Sequence, residues 1–128
     1  MPKFSLYSKQ RLATCHPDIR HVCEQLIKTF DFSVSCGYRG KADQDAAYKQ
    51  GNSKVRFPNS AHNKLPSLAV DLVPYPVDWS DIGRFKALAA AFFAVAVLLK
   101  ERGEIKSEFV WGGNWKKLKD YPHFEIKA

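Results

Sequence analysis

The chain has 128 residues, 45% hydrophobic and 26% charged, with a formal net charge of +7. That length holds one core and excludes two ordinary domains, and the composition excludes a disordered chain, so residues 1–128 are expected to form a single domain. The charge favours polyanionic partners (nucleic acid, an anionic membrane or an anionic cell-wall polymer) but specifies no chemistry.

The start, Met-Pro-Lys-Phe-Ser-Leu-Tyr-Ser-Lys, has no apolar h-region and no small-residue cleavage site, so synthesis and folding in a cytoplasm are expected. Ser5 to Thr14 reads as a short helix or turn. From Pro17 to Phe30, Ile19, Val22, Cys23, Leu26, Ile27 and Phe30 form one helical apolar stripe. Pro17 suits its first turn, and Asp18 complements its N-terminus. Phe32 to Cys36 alternates as a strand, with Phe32, Val34 and Cys36 on one face. Gly37-Tyr38-Arg39-Gly40 turns the chain. Asp43 to Gln50 reads as a helix closed by Gly51.

Asn52 to Pro66 is a long polar loop of a length that usually has a function. Leu68 to Val73 reads as a buried strand ended by Pro74. Ser80 is placed as the cap of the next helix, with Asp81 in its first turn. Arg84 to Arg102 is helical and apolar nearly all round. Its unbroken apolar run, Ala87 to Leu99, falls short of the ~20 residues that span a bilayer, so a central buried helix and no membrane span are expected. Glu108 to Trp111 and His123 to Lys127 read as strands, separated by a Gly112-Gly113 turn and a basic Lys116 to Lys119 loop. The order implies an α+β domain with a small, mainly antiparallel sheet packed against helices. Cys15, Cys23 and Cys36 make no C-x-x-C pair and are expected to be buried free thiols.

Chemistry concentrates in two stretches. His62 lies in the polar loop, and Asp71 follows nine positions later inside an apolar strand, where a carboxylate is costly unless it is paired or binds a metal. His123 opens the last strand. Two imidazoles and a carboxylate are ligands of a catalytic zinc site, which leaves one position open. They converge if the two strands are neighbours. Asp120, three residues before His123, is the candidate acid/base for a water and a leaving amine. Arg39 is the candidate oxyanion partner. Glu125, on the same side of its strand as His123, is the next candidate base.

Blander readings stand beside this one. His62 can be a solvated loop residue, Asp71 can pair with Arg39, and His123 can bond a backbone carbonyl; no H-x-x-x-H or H-E-x-x-H pair fixes the geometry. A Ser60/His62/Asp71 triad is conceivable, but the i, i+2 spacing is awkward and no nucleophile elbow surrounds the Ser. His16 and His21, at the start and on the polar side of the second helix, are weaker candidates.

Ser60-x-His62 … Ala69-x-Asp71, Trp111-Gly112-Gly113-x-Trp115 and Asp120-x-Pro122-His123-Phe124-Glu125 resemble the M15 zinc peptidases, in particular phage endolysins that act as L-alanyl-D-glutamate peptidases. Gly37-Tyr38-Arg39 with Gln44 resembles that family's Arg-bearing turn and helix. The resemblance implies the Hedgehog/D,D-peptidase fold and one Zn2+ held by His62, Asp71 and His123. It implies Asp120 as acid/base, Arg39 on the scissile carbonyl or its oxyanion, and Ser60, Gln44 and Trp111 in support or substrate contact. One departure stands out. The family has seven positions from His to Asp where this chain has nine, Leu65-Pro66 looks like an insertion, and Ser67 stands where Gly is usual. The ligands still meet if the insertion bulges outward.

The resemblance also implies the function: a zinc peptidase cutting peptidoglycan stem peptides at L-Ala-D-Glu. It would act as a monomeric endolysin with no wall-binding domain and no nucleic-acid partner, made in a host cytoplasm and released through a holin pore. The alternatives are a D,D-carboxypeptidase or dipeptidase of the same fold, or a non-catalytic basic binding module.

Overall fold

Period-2 alternation along two short strands separates the core of this protein from its polar face. The computed structural model describes residues 2–127. Helices α1 (Leu6–Leu12), α2 (Pro17–Leu26), α3 (Lys41–Lys49) and α4 (Ile82–Glu101) accompany strands β1 (Phe32–Cys36), β2 (Ala69–Pro74), β3 (Phe109–Trp111) and β4 (His123–Ile126). The sheet order is β1-β2-β4-β3, and every neighbouring pair is antiparallel. Successive strand residues face opposite sides. Val70, Leu72 and Phe124 therefore enter the core with α2 and α4, while Asp71, His123 and Glu125 face the other way. Phe124 stacks on Phe92 of α4 with ring centroids 4.4 Å apart, and Phe109 meets Phe92 edge-on at 5.2 Å. This aromatic packing holds β4 from behind, so the histidine in front of it has a rigid base.

The expected α+β architecture is present, with four adjustments. First, a bulge between Val34 and Cys36 breaks the alternation of β1, and Cys36 ends opposite Asp71 instead of following Val34 into the core. Second, α2 stops at Leu26: Lys28 N and Thr29 N bond three residues back, and the chain tightens out of α geometry before Phe30. Third, Asp81 caps α4, its carboxylate accepting from Arg84 N; Ser80 is held by Asp78. Fourth, α4 is an outer helix. Phe85, Leu88, Phe92 and Leu99 are buried, but Val97 and Leu98 are 56% and 45% exposed. By length and composition this helix could also cross a membrane; here its inner face packs on α2 and the sheet.

Candidate metal centre

The site is built where β2 and β4 pair. Asp71 and His123 are direct register partners. His62 reaches them from a single 3₁₀ turn, Ala61–Asn63, in the long loop. A capping box closes that turn: Ser60 Oγ accepts from His62 N, and Asn63 Oδ1 accepts from Ser60 N at 2.9 Å. Asn63 Nδ2 donates to Arg39 O at 2.9 Å and Arg39 N donates to His62 O at 2.7 Å, which fastens the loop to the turn after β1. The Leu65-Pro66 insertion points outward, with Leu65 71% exposed, so the two extra residues leave His62 in place. Ser67 is buried, its hydroxyl donating to Ala69 O at 2.6 Å.

The three donor atoms form a near-equilateral triangle. His62 Nε2 lies 3.2 Å from Asp71 Oδ1 and 3.2 Å from His123 Nδ1, and His123 Nδ1 lies 3.3 Å from Asp71 Oδ1. A tetrahedral ion with ligand bonds of ~2.0–2.1 Å spaces its ligands by about 3.3 Å, so the triangle matches one face of such a polyhedron. The outer ring nitrogens are also engaged. His62 Nδ1 donates to Gly37 O at 2.8 Å, and His123 Nε2 donates to Glu125 Oε1 at 2.6 Å. Both partners are acceptors, so each imidazole keeps its proton on the outside and turns a lone pair inward, as metal-ligating histidines do. The donor set therefore fits zinc.

The electrostatics agree. Burial opposes a charge on His62, but the hydrogen bond and charge of Asp71, with Cys36 adding to them, raise its pKa to about 10. His123 is shifted upward in the same way by Asp71 and Glu125, against burial. Burial would push the Asp71 carboxyl up; with no metal between them, His123 and His62 take up inner protons as imidazolium ions, and their hydrogen bonds then hold it well below the usual carboxylate range. Three inward lone pairs at this spacing call for positive charge between them, supplied by protons or by a cation.

Around this triangle stand groups suited to turnover. Asp120 Oδ2 is 3.9 Å from His123 Nδ1, and its pKa is raised, first by burial and then by the Asp71 charge. A carboxyl so placed holds its proton more readily than an exposed one. Arg39 Nη2 lies 3.7 Å from Asp71 Oδ2, while Asp71 Oδ1 faces the histidines. The Arg39 pairing and the metal-type cluster thus coexist on one carboxylate. Arg39 Nη1 donates to Gln44 Oε1 at 3.0 Å, which fixes the guanidinium.

A groove of about 1220 Å³ opens onto these groups, lined among others by Arg39, Ser60, His62, Asp71, Asp120 and His123. Gln44 and Trp111 do not line it. Gln44 is fully buried; its Nε2 donates to Ser53 Oγ and Val55 O and holds the loop. Trp111 Nε1 donates to Tyr121 O at 2.7 Å and braces the turn bearing Asp120. Both are structural supports behind the groove wall. Ser60 is also a support, and its hydroxyl faces a backbone N–H while the His62 ring turns to Gly37, so the serine triad is not formed. His16 caps α2 and His21 pairs with Glu104 at 2.8 Å, both away from the site.

Some site residues carried no assignment from the sequence. Cys36 Sγ lies 3.8 Å from His62 Nδ1 and 3.7 Å from Arg39 Nη2; only the bulge brings it there. Asn63 was legible as the last member of a Ser-x-x-Asn capping pattern. Trp115 lies 5.0 Å from the His123 ring and walls the site. The Gly pair has a steric reason: a Cβ on Gly112 would lie 2.3 Å from Asp120 O, and one on Gly113 would lie 2.3 Å from the Trp111 indole.

A family model described as phage L-alanyl-D-glutamate peptidase matches residues 1–128. The chain is 32% identical over 128 residues to the peptidoglycan L-alanyl-D-glutamate endopeptidase CwlK of Bacillus subtilis (strain 168), a match covering 87% of this chain and 72% of that protein. It is also similar to the crystal structure of the Serratia marcescens L-Ala D-Glu endopeptidase ChiX. That match has a TM-score of 0.77 and 31% identity, and covers 98% of this chain and 90% of that one.

Proposed function

The chain belongs to the phage L-alanyl-D-glutamate peptidase family, and from that premise we propose that it is a zinc-dependent peptidoglycan endopeptidase cutting stem peptides between L-Ala and D-Glu. The observation that carries the zinc assignment is the triangle of His62 Nε2, Asp71 Oδ1 and His123 Nδ1, with its 3.2–3.3 Å edges and outward-bonded ring nitrogens.

When bound there, zinc supplies Lewis-acid chemistry, polarising the scissile carbonyl and making water nucleophilic near neutral pH. The chain's own groups do the rest. Asp120 Oδ2 takes the proton of the attacking water and passes it to the leaving amine nitrogen. Arg39, oriented by Gln44, donates to the carbonyl oxygen as negative charge gathers on it. His62 and His123, both buried, close the back of the site, and Asp71 is only partly exposed beside them. The biological role that follows is lysis of a phage host from within after holin-type release, with the charge of +7 drawing the enzyme to the anionic wall.

Muropeptide digestion followed by mass spectrometry, with metal analysis of the same preparation, tests this reading. The expected result is one zinc per chain and a free D-Glu amino terminus in the products, with activity lost to a chelator and restored by zinc. Cleavage that persists without metal, or at another bond, contradicts it.

A further inference from the structure

The groove extends beyond the metal triangle and includes a side chain the chemistry above does not use. Trp79 lines it, 59% exposed, while Tyr75 and Val77 of the same segment are exposed but do not line it. One face of the Trp79 indole rests on the buried ring of Phe85, stacked at 27° with centroids 6.0 Å apart. Phe85 in turn lies 6.5 Å from Tyr121, the residue after Asp120, so this aromatic stack adjoins the catalytic turn. The segment is pinned: Arg84 donates to Tyr75 O at 2.6 Å and to Pro76 O at 2.8 Å, and Asp78 Oδ1 accepts from Ser80 N and Oγ. A flat apolar ring held in place, backed by Phe85 and more than half exposed at the groove, loses little entropy when a flat ligand covers it.

Substrate connectivity places a sugar ring close to the scissile bond. In peptidoglycan the L-Ala nitrogen is joined through a lactyl group to a muramyl sugar. A single amino acid, ~3.3–3.6 Å of extended chain, and a lactyl unit of similar length separate the scissile carbonyl from a pyranose ring. The groove, about 1220 Å³, exceeds the ~300–1,000 Å³ that accepts a drug-sized ligand. It has room for the sugar as well as the two amino acids.

We propose that Trp79 is the platform of a sugar subsite, its indole stacking on the C–H face of the muramyl pyranose that carries the stem peptide. This rests on the L-Ala-D-Glu reading above. Between two aromatic rings such stacking adds roughly 2- to 12-fold in affinity beyond simple burial, and an effect of that order, with the burial itself, is expected for the pyranose face.

The test compares two substrates: a disaccharide-tetrapeptide, and the corresponding lactyl-tetrapeptide made by β-elimination, which keeps the amide and lacks the sugar. Wild type is expected to favour the disaccharide substrate through a lower KM. Trp79→Ala should lose about ten-fold in kcat/KM on it, carried by KM, and match wild type on the lactyl-peptide. Trp79→Phe, which keeps a flat ring, should recover part of the loss. No sugar preference in wild type, or an equal loss on both substrates, overturns the subsite. If wild type cuts neither substrate, the reaction assignment fails and the subsite with it.

Discussion

Gly112 is outside the ligand set, yet its substitution by alanine should disable the site. In place, Gly112 O accepts from Asp120 N at 3.0 Å and from Trp115 N at 3.2 Å, holding β3 against the turn that carries Asp120 and His123. An added Cβ lies 2.3 Å from Asp120 O and 3.0 Å from the Cβ atoms of both Asp120 and His123. Ordinary contact begins about 1 Å beyond the first of these distances. The obstacle is backbone, so a rotamer change cannot relieve it, and the two segments must part. Overpacking of this size costs about 1–3 kcal/mol of stability. A shift of ~1 Å at catalytic groups costs on the order of 100-fold in rate. Gly112→Ala should therefore remain folded with a lowered Tm, bind zinc more weakly through displaced His123, and lose about 100-fold in kcat/KM on muropeptides. Wild-type Tm, zinc affinity and turnover in this variant would refute the reasoning.

Further outcomes follow from the same geometry. Asp120→Ala should retain zinc in metal analysis and lose about 10²–10⁴-fold in kcat, whereas His123→Ala should lose the metal. Glu125→Gln keeps an acceptor for His123 Nε2 but removes its charge, so zinc affinity in a competition titration should fall about 10–100-fold. The pH dependence of chelator-stripped protein has a definite sign. The folded pKa of His62 is raised to about 10, so its contribution is full below the unfolded value of ~6.5 and is lost as pH rises through the folded one. That of Asp71, whose pKa is depressed, is present above ~3.9 and is lost as pH falls. The Tm of stripped protein should decline from pH 6.5 to 10, while zinc-loaded protein, its imidazoles already deprotonated, should not follow it. A flat profile for stripped protein would contradict the ligand-cluster assignment.

The convergence of His62, Asp71 and His123 was legible because its signals are local. A carboxylate in an apolar strand and a histidine opening another strand are anomalies in any sequence. Pairing of β2 with β4 then joins Asp71 to His123, and outward placement of Leu65-Pro66 preserves His62. What the sequence hid depends on backbone irregularity or on tertiary neighbours. The bulge in β1 inverts the expected side of Cys36, and no residue in Phe32-Ser-Val-Ser-Cys36 signals it. The placement of Gln44 and Trp111 behind the groove follows from packing and loop closure, which motif spacing does not encode. Periodicity also misjudged α4, since a helix apolar on every side gives no sign of which face will be covered.

The central claim is most directly tested by a crystal grown with zinc and measured on both sides of the zinc absorption edge. The account predicts one anomalous peak, ~2.0–2.1 Å from His62 Nε2, Asp71 Oδ1 and His123 Nδ1, with a fourth position facing the groove. A peak elsewhere, or three side chains that stay apart with zinc in excess, would contradict it.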